Sequence, residues 1–363
     1  MKRYGWLLGC CLFLSIGMLW AADEPDLRML QQKAAQSRDM EGYVGVCKYL
    51  YQTEENPELL LLYADSIHQL ATKSKKPEQL VEYYIWASEG NFIKGDFQQG
   101  YALKRKAIAL AEKAGLKFAI SQSCCDMGYY CNVDARYDSA RYYFRKGLEA
   151  GEDLSEAGEA CRTMLTNYAS SFLFEGKTDS ALVYTIRASE RSAADKDTAM
   201  LIENLNQLGT IYRRKKNLEN CIANFEQALH LCELRGNHNA VAFIYGNIAT
   251  AYCDWNRPVD AIPFSEKAVE YALKTGNKRR IGTCYVNLGA IQIRLVQMRA
   301  EGIATLLKAI PILEEVNDRR LLCDAYNYLV NAYRMDGNLN QAMYYLQKLD
   351  KLAHEMQTDA ERF

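Results

Sequence analysis

The residues that could carry acid–base or metal chemistry are few, and no spacing connects them. The four histidines share no common interval and no partner motif: His68, His230, His238 and His354. The sequence also contains no glycine-rich phosphate loop, no nucleophile elbow and no zinc-binding pattern of cysteine and histidine. We therefore predict that the protein is not an enzyme, that it has no catalytic residue and that it binds no metal or cofactor.

The most regular polar feature is a row of side chains that recurs with a long repeat. Large residues lie 40 or 41 positions apart, and we call them the anchors of the repeats: Trp86, Met127, Tyr168, Leu208, Ile248, Leu288 and Leu329. The residue before each anchor from the second onward is most often a carboxamide: Asp126, Asn167, Gln207, Asn247, Asn287 and Tyr328, with Asn327 beside the last. A carboxamide donates and accepts hydrogen bonds at once, which suits it to hold the backbone of a bound segment. The alternatives are that these residues are solvated, or that they brace neighbouring repeats.

Each repeat reads as two amphipathic helices. A small residue follows most anchors, and small residues recur about thirteen and about twenty positions further on, as in Gly209, Cys221 and Ala228. Small residues at such points let two helix backbones approach closely. Turn formers such as Gly176 and Gly276 separate the helices, and no window alternates with the period of a strand. One such hairpin cannot bury its apolar face alone, so we predict an all-α solenoid of stacked pairs.

Residues 1–22 have the order of a secretory signal peptide. Lys2-Arg3 is a short basic start, Trp6 to Trp20 is an uncharged apolar run, and Ala21-Ala22 precedes an acidic segment. We predict cleavage near these alanines and a periplasmic or secreted protein. Because bulky residues precede the alanines, an uncleaved membrane anchor is one alternative, and lipidation at Cys10 is another.

The net charge of the sequence argues against one class of partner. The formal net charge is −1, whereas a protein that binds nucleic acid would show a basic excess, so we expect no nucleic-acid partner.

Ten of the twelve cysteines follow the leader, mostly inside apolar helical patterns. We interpret them as small packing residues, although an exported location also permits disulfides.

Residues 79–350 resemble the tetratricopeptide repeat family. In the first helix, the signature of this family has a large apolar residue, then Gly or Ala, then Tyr. In the second helix it has Ala, an aromatic residue and Ala. The best match in this sequence is Leu208, Gly209 and Tyr212, followed by Cys221, Phe225 and Ala228. The repeat at Leu288 departs by having Gln292 where the Tyr belongs, and Pro263 and Pro311 fall inside predicted second helices. The resemblance implies a right-handed superhelical solenoid of antiparallel helix pairs. Together with the leader pattern, the repeats predict four segments: a signal peptide (1–22), a divergent N-terminal cap (23–78), about seven repeats (79–350) and a terminal helix end (351–363).

In this family the first helix of each pair lines a concave groove that holds a peptide or protein segment. The resemblance therefore implies a partner-binding groove formed by carboxamides, hydroxyls and arginines: Asn167, Gln207, Asn247, Asn287, Asn327, Thr210, Thr250, Arg214 and Arg294. A leader followed by 40-residue repeats looks like the exported sensor region of Bacteroidetes-type membrane signalling proteins. There, a membrane helix and a signalling module follow the repeats.

We thus expect an exported protein- or peptide-binding scaffold, and one interpretation is that it forms the sensory region of a receptor. A membrane association would follow only from an uncleaved leader or a longer receptor chain. The alternative function is a structural protein that self-associates through its repeats. The segment from His354 to Thr358 resembles the phosphoacceptor box of histidine kinases, but Asp359 stands where the family has Pro and no ATP-binding region follows. We do not expect it to be phosphorylated.

Overall fold

The computed structural model describes residues 27–53 and 56–361, so the predicted leader lies outside the described residues. Within them the chain forms seventeen α-helices and no strand. The helices are α1 (Leu27–Ser37), α2 (Met40–Thr53), α3 (Pro57–Ser74), α4 (Pro77–Lys94), α5 (Phe97–Ala114), α6 (Lys117–Val133), α7 (Tyr137–Gly151), α8 (Gly158–Glu175), α9 (Thr178–Ala194), α10 (Thr198–Arg214), α11 (Leu218–Leu234), α12 (His238–Asp254), α13 (Pro258–Thr275), α14 (Lys278–Ile293), α15 (Arg299–Glu315), α16 (Arg319–Met335) and α17 (Leu339–Glu361). None of these described helices is long and apolar enough to cross a membrane.

Local sequence explains where the helices start and stop. The carboxylate of Asp318 accepts a hydrogen bond from the N–H of Leu321 at 3.1 Å, and Asn277 caps α14 in the same way. Such caps satisfy N–H groups that have no partner inside the helix. Gly176 and Gly276 end their helices with φ of 84° and 66°, in the left-handed region that favours glycine. The predicted turn positions are therefore confirmed.

Each anchor from Trp86 to Leu329 lies in the first helix of a pair, from α4/α5 to α16/α17. The predicted all-α fold of helix pairs is confirmed. The chain divides into two compact units between Met200 and Leu201. The N-terminal unit contains α1 to α9, and the C-terminal unit contains the residues of α10 from Leu201 and all helices after it.

Small residues lie at the helix crossings, as predicted. A methyl group added at Gly209 would lie 2.5 Å from the ring of Phe225, which is fully buried. In the pair α14/α15, Gly289 and Gly302 face each other closely, and an added methyl group at Gly302 would lie 3.0 Å from the carbonyl oxygen of Gly289. The close approach removes the space between the backbones and lets larger neighbours such as Leu306 fill the adjoining groove.

Eight of the ten cysteines in the described residues are buried, and all ten are free thiols there. Burial raises the pKa of Cys47 to about 12 and that of Cys284 to about 11, because an apolar surrounding disfavours the thiolate. These observations agree with the interpretation of the cysteines as packing residues.

The N-terminal unit holds a charged cluster in its interior. Lys104 of α5 is completely buried, and its Nζ contacts the carboxylates of Glu89 and, at 3.0 Å, of Asp126. The hydroxyl of Tyr130 donates to the other oxygen of Glu89 at 2.7 Å. Burial acts to lower the pKa of Lys104, but the two carboxylates more than offset this and hold its pKa above the usual range. Lys104 therefore stays charged and ties α4, α5 and α6 together.

Candidate functional site

Two of the predicted groove residues, Asn167 of α8 and Gln207 of α10, are largely buried. Asn167 is 3% exposed and Gln207 is 6% exposed. The backbone oxygen of Asn167 accepts a hydrogen bond from Asn132 at 3.0 Å, while the side-chain Nδ2 of Asn167 has no partner among the described residues. Because both side chains are buried, a ligand could reach these carboxamides only with a shift of neighbouring side chains. Their role in binding stays a prediction.

Asn247 braces two successive first helices. Its Nδ2 donates a hydrogen bond of 2.7 Å to the Oδ1 of Asn206, which links α12 to α10 within the C-terminal unit. The hydroxyl of Thr210 donates to the backbone oxygen of Asn206 at 3.1 Å. The bracing role considered for the carboxamide row therefore applies at this position, and the polar atoms of Thr210 and Asn247 are partly committed inside the protein.

Arg214 lies at the end of α10 and is exposed. Its pKa is lowered, first by burial of part of the side chain and then by the neighbouring Arg213. Asn327 is also exposed, and its Oδ1 lies 3.5 Å from the Nδ2 of Asn331 one turn later. These two predicted residues are accessible but do not line the pocket described next.

Three predicted residues meet in one pocket of the C-terminal unit: Thr250, Asn287 and Arg294. The pocket has a volume of about 420 Å³ and lies among the first helices α12, α14 and α16. Its lining is Thr250 and Cys253 from α12, Asn287, Ala290, Ile291 and Ile293 from α14, Arg294 just after α14, and Tyr328, Asn331 and Met335 from α16. Pockets that bind small ligands or side chains have volumes of roughly 300–1,000 Å³ and combine apolar walls with a few polar groups.

The lining residues share a helical register that the sequence contains. Starting from the position before the anchor, the residues three and seven places later lie on the same helix face. In α14 and the residue after it this series is Asn287, Ala290 and Arg294, and in α16 it is Tyr328, Asn331 and Met335. Asn331 and Met335 were missed by sequence reasoning, and extending the carboxamide row along its own helix by this interval would have found both.

The chemistry of the pocket combines one cation with weak donors. Burial raises the pKa of Cys253, and the nearby guanidinium of Arg294 opposes this shift. Burial and Asp324 raise the pKa of Tyr328, so its phenol stays neutral and can donate a hydrogen bond. The hydroxyl of Thr250 donates to the backbone oxygen of Gly246 at 2.8 Å and keeps only its lone pairs for a ligand. The lining groups can thus hold a ligand by charge and by hydrogen bonds.

No described group of three or more His, Cys, Asp or Glu side chains could hold a metal ion. Arg294 is the only charged residue among those that line the pocket. The pocket is therefore a cationic, partly apolar recess between the first helices of three successive pairs.

Comparison with known proteins agrees with this architecture. Residues 197–274 match the family model described as tetratricopeptide repeat. No curated protein matches the sequence significantly. Among solved structures, the apo form of RapI is similar with a TM-score of 0.64 at 11% identity, covering 91% of each chain. The apo form of the quorum sensor NprR from B. thuringiensis is similar with a TM-score of 0.60 at 15% identity, covering 90% of this chain and 92% of that one.

A third similar structure is a signal transduction ATPase with a tetratricopeptide repeat sensor from Pyrococcus horikoshii. Its TM-score is 0.57 at 16% identity, and the match covers 93% of this chain but 54% of that one. At these identities the likeness concerns the fold: helix pairs stacked as in tetratricopeptide repeat proteins.

Proposed function

We propose that the chain, which matches a tetratricopeptide repeat model over residues 197–274, binds a peptide or protein segment, and that the first-helix face of its C-terminal unit makes the contact. The observation that supports this most is the pocket, where Thr250, Asn287 and Arg294 meet beside apolar walls. Carboxamides at its edge, from Asn287 and Asn331, can pair with the N–H and C=O groups of an extended backbone. The recess between them can take a side chain of the bound segment.

Filling the pocket should abolish this binding. Ala290 lies half-buried in the lining, and the Ala290→Trp variant places an indole where a ligand side chain would enter. Peptides enriched from a random display library on the wild-type chain should bind this variant at least about tenfold more weakly, a loss of about 1.4 kcal/mol. The matched control is Ala304→Trp, at an exposed alanine of the second helix α15, which should leave the affinity unchanged.

Fluorescence anisotropy of the selected peptides measures both variants. If the Ala290→Trp chain folds, as its circular dichroism would show, and still binds the peptides as tightly as the wild type, the first-helix face is not the binding surface. Failure of the library to yield any peptide that distinguishes Ala290→Trp from Ala304→Trp would overturn the proposal in the same way.

We also propose that the protein is exported and that its binding serves as the sensory step of a signalling system. The support for export is the leader pattern of residues 1–22. The support for a sensory role is the resemblance of a leader followed by 40-residue repeats to exported sensor regions. N-terminal sequencing of the protein recovered from the periplasm should show a start at Ala22 or Asp23. A protein that begins at Met1 in the cytoplasm would contradict the export proposal.

A further inference from the structure

The pocket carries a single charge on its lining, because Asp324, which raises the pKa of Tyr328, is not one of the lining residues. Arg294 is its only charged lining residue, and no carboxylate of the described chain forms an ion pair with it. Asp254, which follows the lining residue Cys253, instead lies 3.5 Å from Arg213. A guanidinium without a carboxylate partner presents several N–H donors in a plane that matches a carboxylate.

The walls beside Arg294 are apolar. Ala290, Ile291 and Ile293 come from α14, and Met335 comes from the end of α16, where it is 66% exposed. Methionine is unbranched and flexible, so it can adjust to ligands of different shape. Apolar walls with one charged group and a few hydrogen-bonding groups are the usual composition of a small-molecule site.

We propose that this pocket binds a small monocarboxylic acid with an apolar body. The carboxylate lies on the guanidinium of Arg294, and the body lies against Ile291 and Met335. Asn331 and the phenol of Tyr328 can donate further hydrogen bonds to the acid. This ligand goes beyond the proposed peptide or protein partner, and because it uses part of the same surface it competes with that partner.

Because Arg294 lies at the C-terminal end of a helix, its positive charge is needed for the pocket to prefer an acid over a neutral ligand. It follows the last residue of α14, and its own N–H points back to the carbonyl of Ile291 at 3.2 Å. The carbonyl end of a helix carries partial negative charge and disfavours an anion. Without the guanidinium, the pocket should therefore lose its preference for an acid and bind the corresponding neutral amide at least as well.

The test uses methyl NMR of the whole chain with labelled methionine, following the ε-methyl resonance of Met335, assigned with Met335→Leu. The probes are hydrocinnamate, 4-phenylbutyrate and octanoate, each with its primary amide. We expect at least one acid to shift this resonance and to bind about tenfold more tightly than its amide, the size of a charge-assisted contact. The Arg294→Gln variant should remove this difference, and Arg294→Lys should keep part of it.

The matched control is Lys308→Gln, which removes an exposed positive charge from the second helix α15 and should leave the acid preference unchanged. The proposal is overturned if no acid shifts Met335, or if every acid binds no better than its amide. It is also overturned if only the peptide acetyl-Ala-Phe-Glu-Ala-amide binds in a manner that depends on Arg294. That last result would leave the peptide-binding function standing, whereas unchanged peptide binding by Ala290→Trp would refute that function and not the acid site.

Discussion

Replacing Lys104 by methionine should destabilise the N-terminal unit by about 3–5 kcal/mol, the usual consequence of removing one partner from a buried ion pair. Lys104 is completely buried, and the side chain of Glu89 is 3% exposed. Without the ammonium, the buried carboxylate of Glu89 would face the partly exposed carboxylate of Asp126 with no compensating charge. Burial already raises the pKa of Glu89, against the opposing effect of Lys104, so its charged form depends on this partner.

Hydrogen exchange at increasing urea, read from peptides of α4 and α6, measures this loss within the N-terminal unit. Lys94→Met is the control in the same unit, because Lys94 forms an exposed ion pair with Glu58 and such pairs contribute little. Adding Glu89→Gln to Lys104→Met should recover part of the stability, since it removes one of the two unpaired charges. If Lys104→Met alone exchanges like the wild type, the buried cluster does not stabilise the unit.

A second large loss of stability is expected when a methyl group is added at the helix crossing of α14 and α15. A methyl group added at Gly302 would lie 2.8 Å from the amide nitrogen of Ile293, which is backbone and cannot turn aside. We expect Gly302→Ala to cost about 1–3 kcal/mol through overpacking, although alanine is otherwise the better helix former.

Gly246→Ala is the matched control in the same unit, because a methyl group there would meet no atom within 4 Å. It should stabilise α12 by up to about 1 kcal/mol, so the two substitutions should change stability in opposite directions. Urea unfolding of the C-terminal unit, followed by hydrogen exchange, measures both. Equal effects of the same sign would contradict the close approach of the backbones.

Features that repeat along the chain could be predicted from the sequence, and features that depend on one neighbour could not. The crossing residues Gly209, Ala249 and Gly289 recur at 40-residue intervals, and each small residue is predicted from the geometry of its own helix pair. Lys104 could not be predicted as a buried charge, because its partners Glu89 and Asp126 come from two other helices.

The carboxamide row shows the same limit within the candidate site. Asn167 and Asn287 occupy the same place in their repeats, yet Asn167 is buried and Asn287 is exposed. The register of a helix fixes which face a side chain is on, whereas its exposure depends on the size of the residues in the adjacent pairs. The sequence therefore predicts which face these residues share, but not which of them form a pocket.

Photo-crosslinking tests the central claim most directly, because it asks which face of the C-terminal unit contacts the bound peptide. The photoreactive amino acid p-benzoylphenylalanine would replace Tyr328 of α16 or, in a matched chain, the exposed Tyr344 of α17. We predict that a peptide selected on the wild-type chain crosslinks at position 328 and not at position 344. Crosslinking at 344 alone would contradict the account, and links between two copies through 344, next to the exposed Met343, would favour the self-associating alternative.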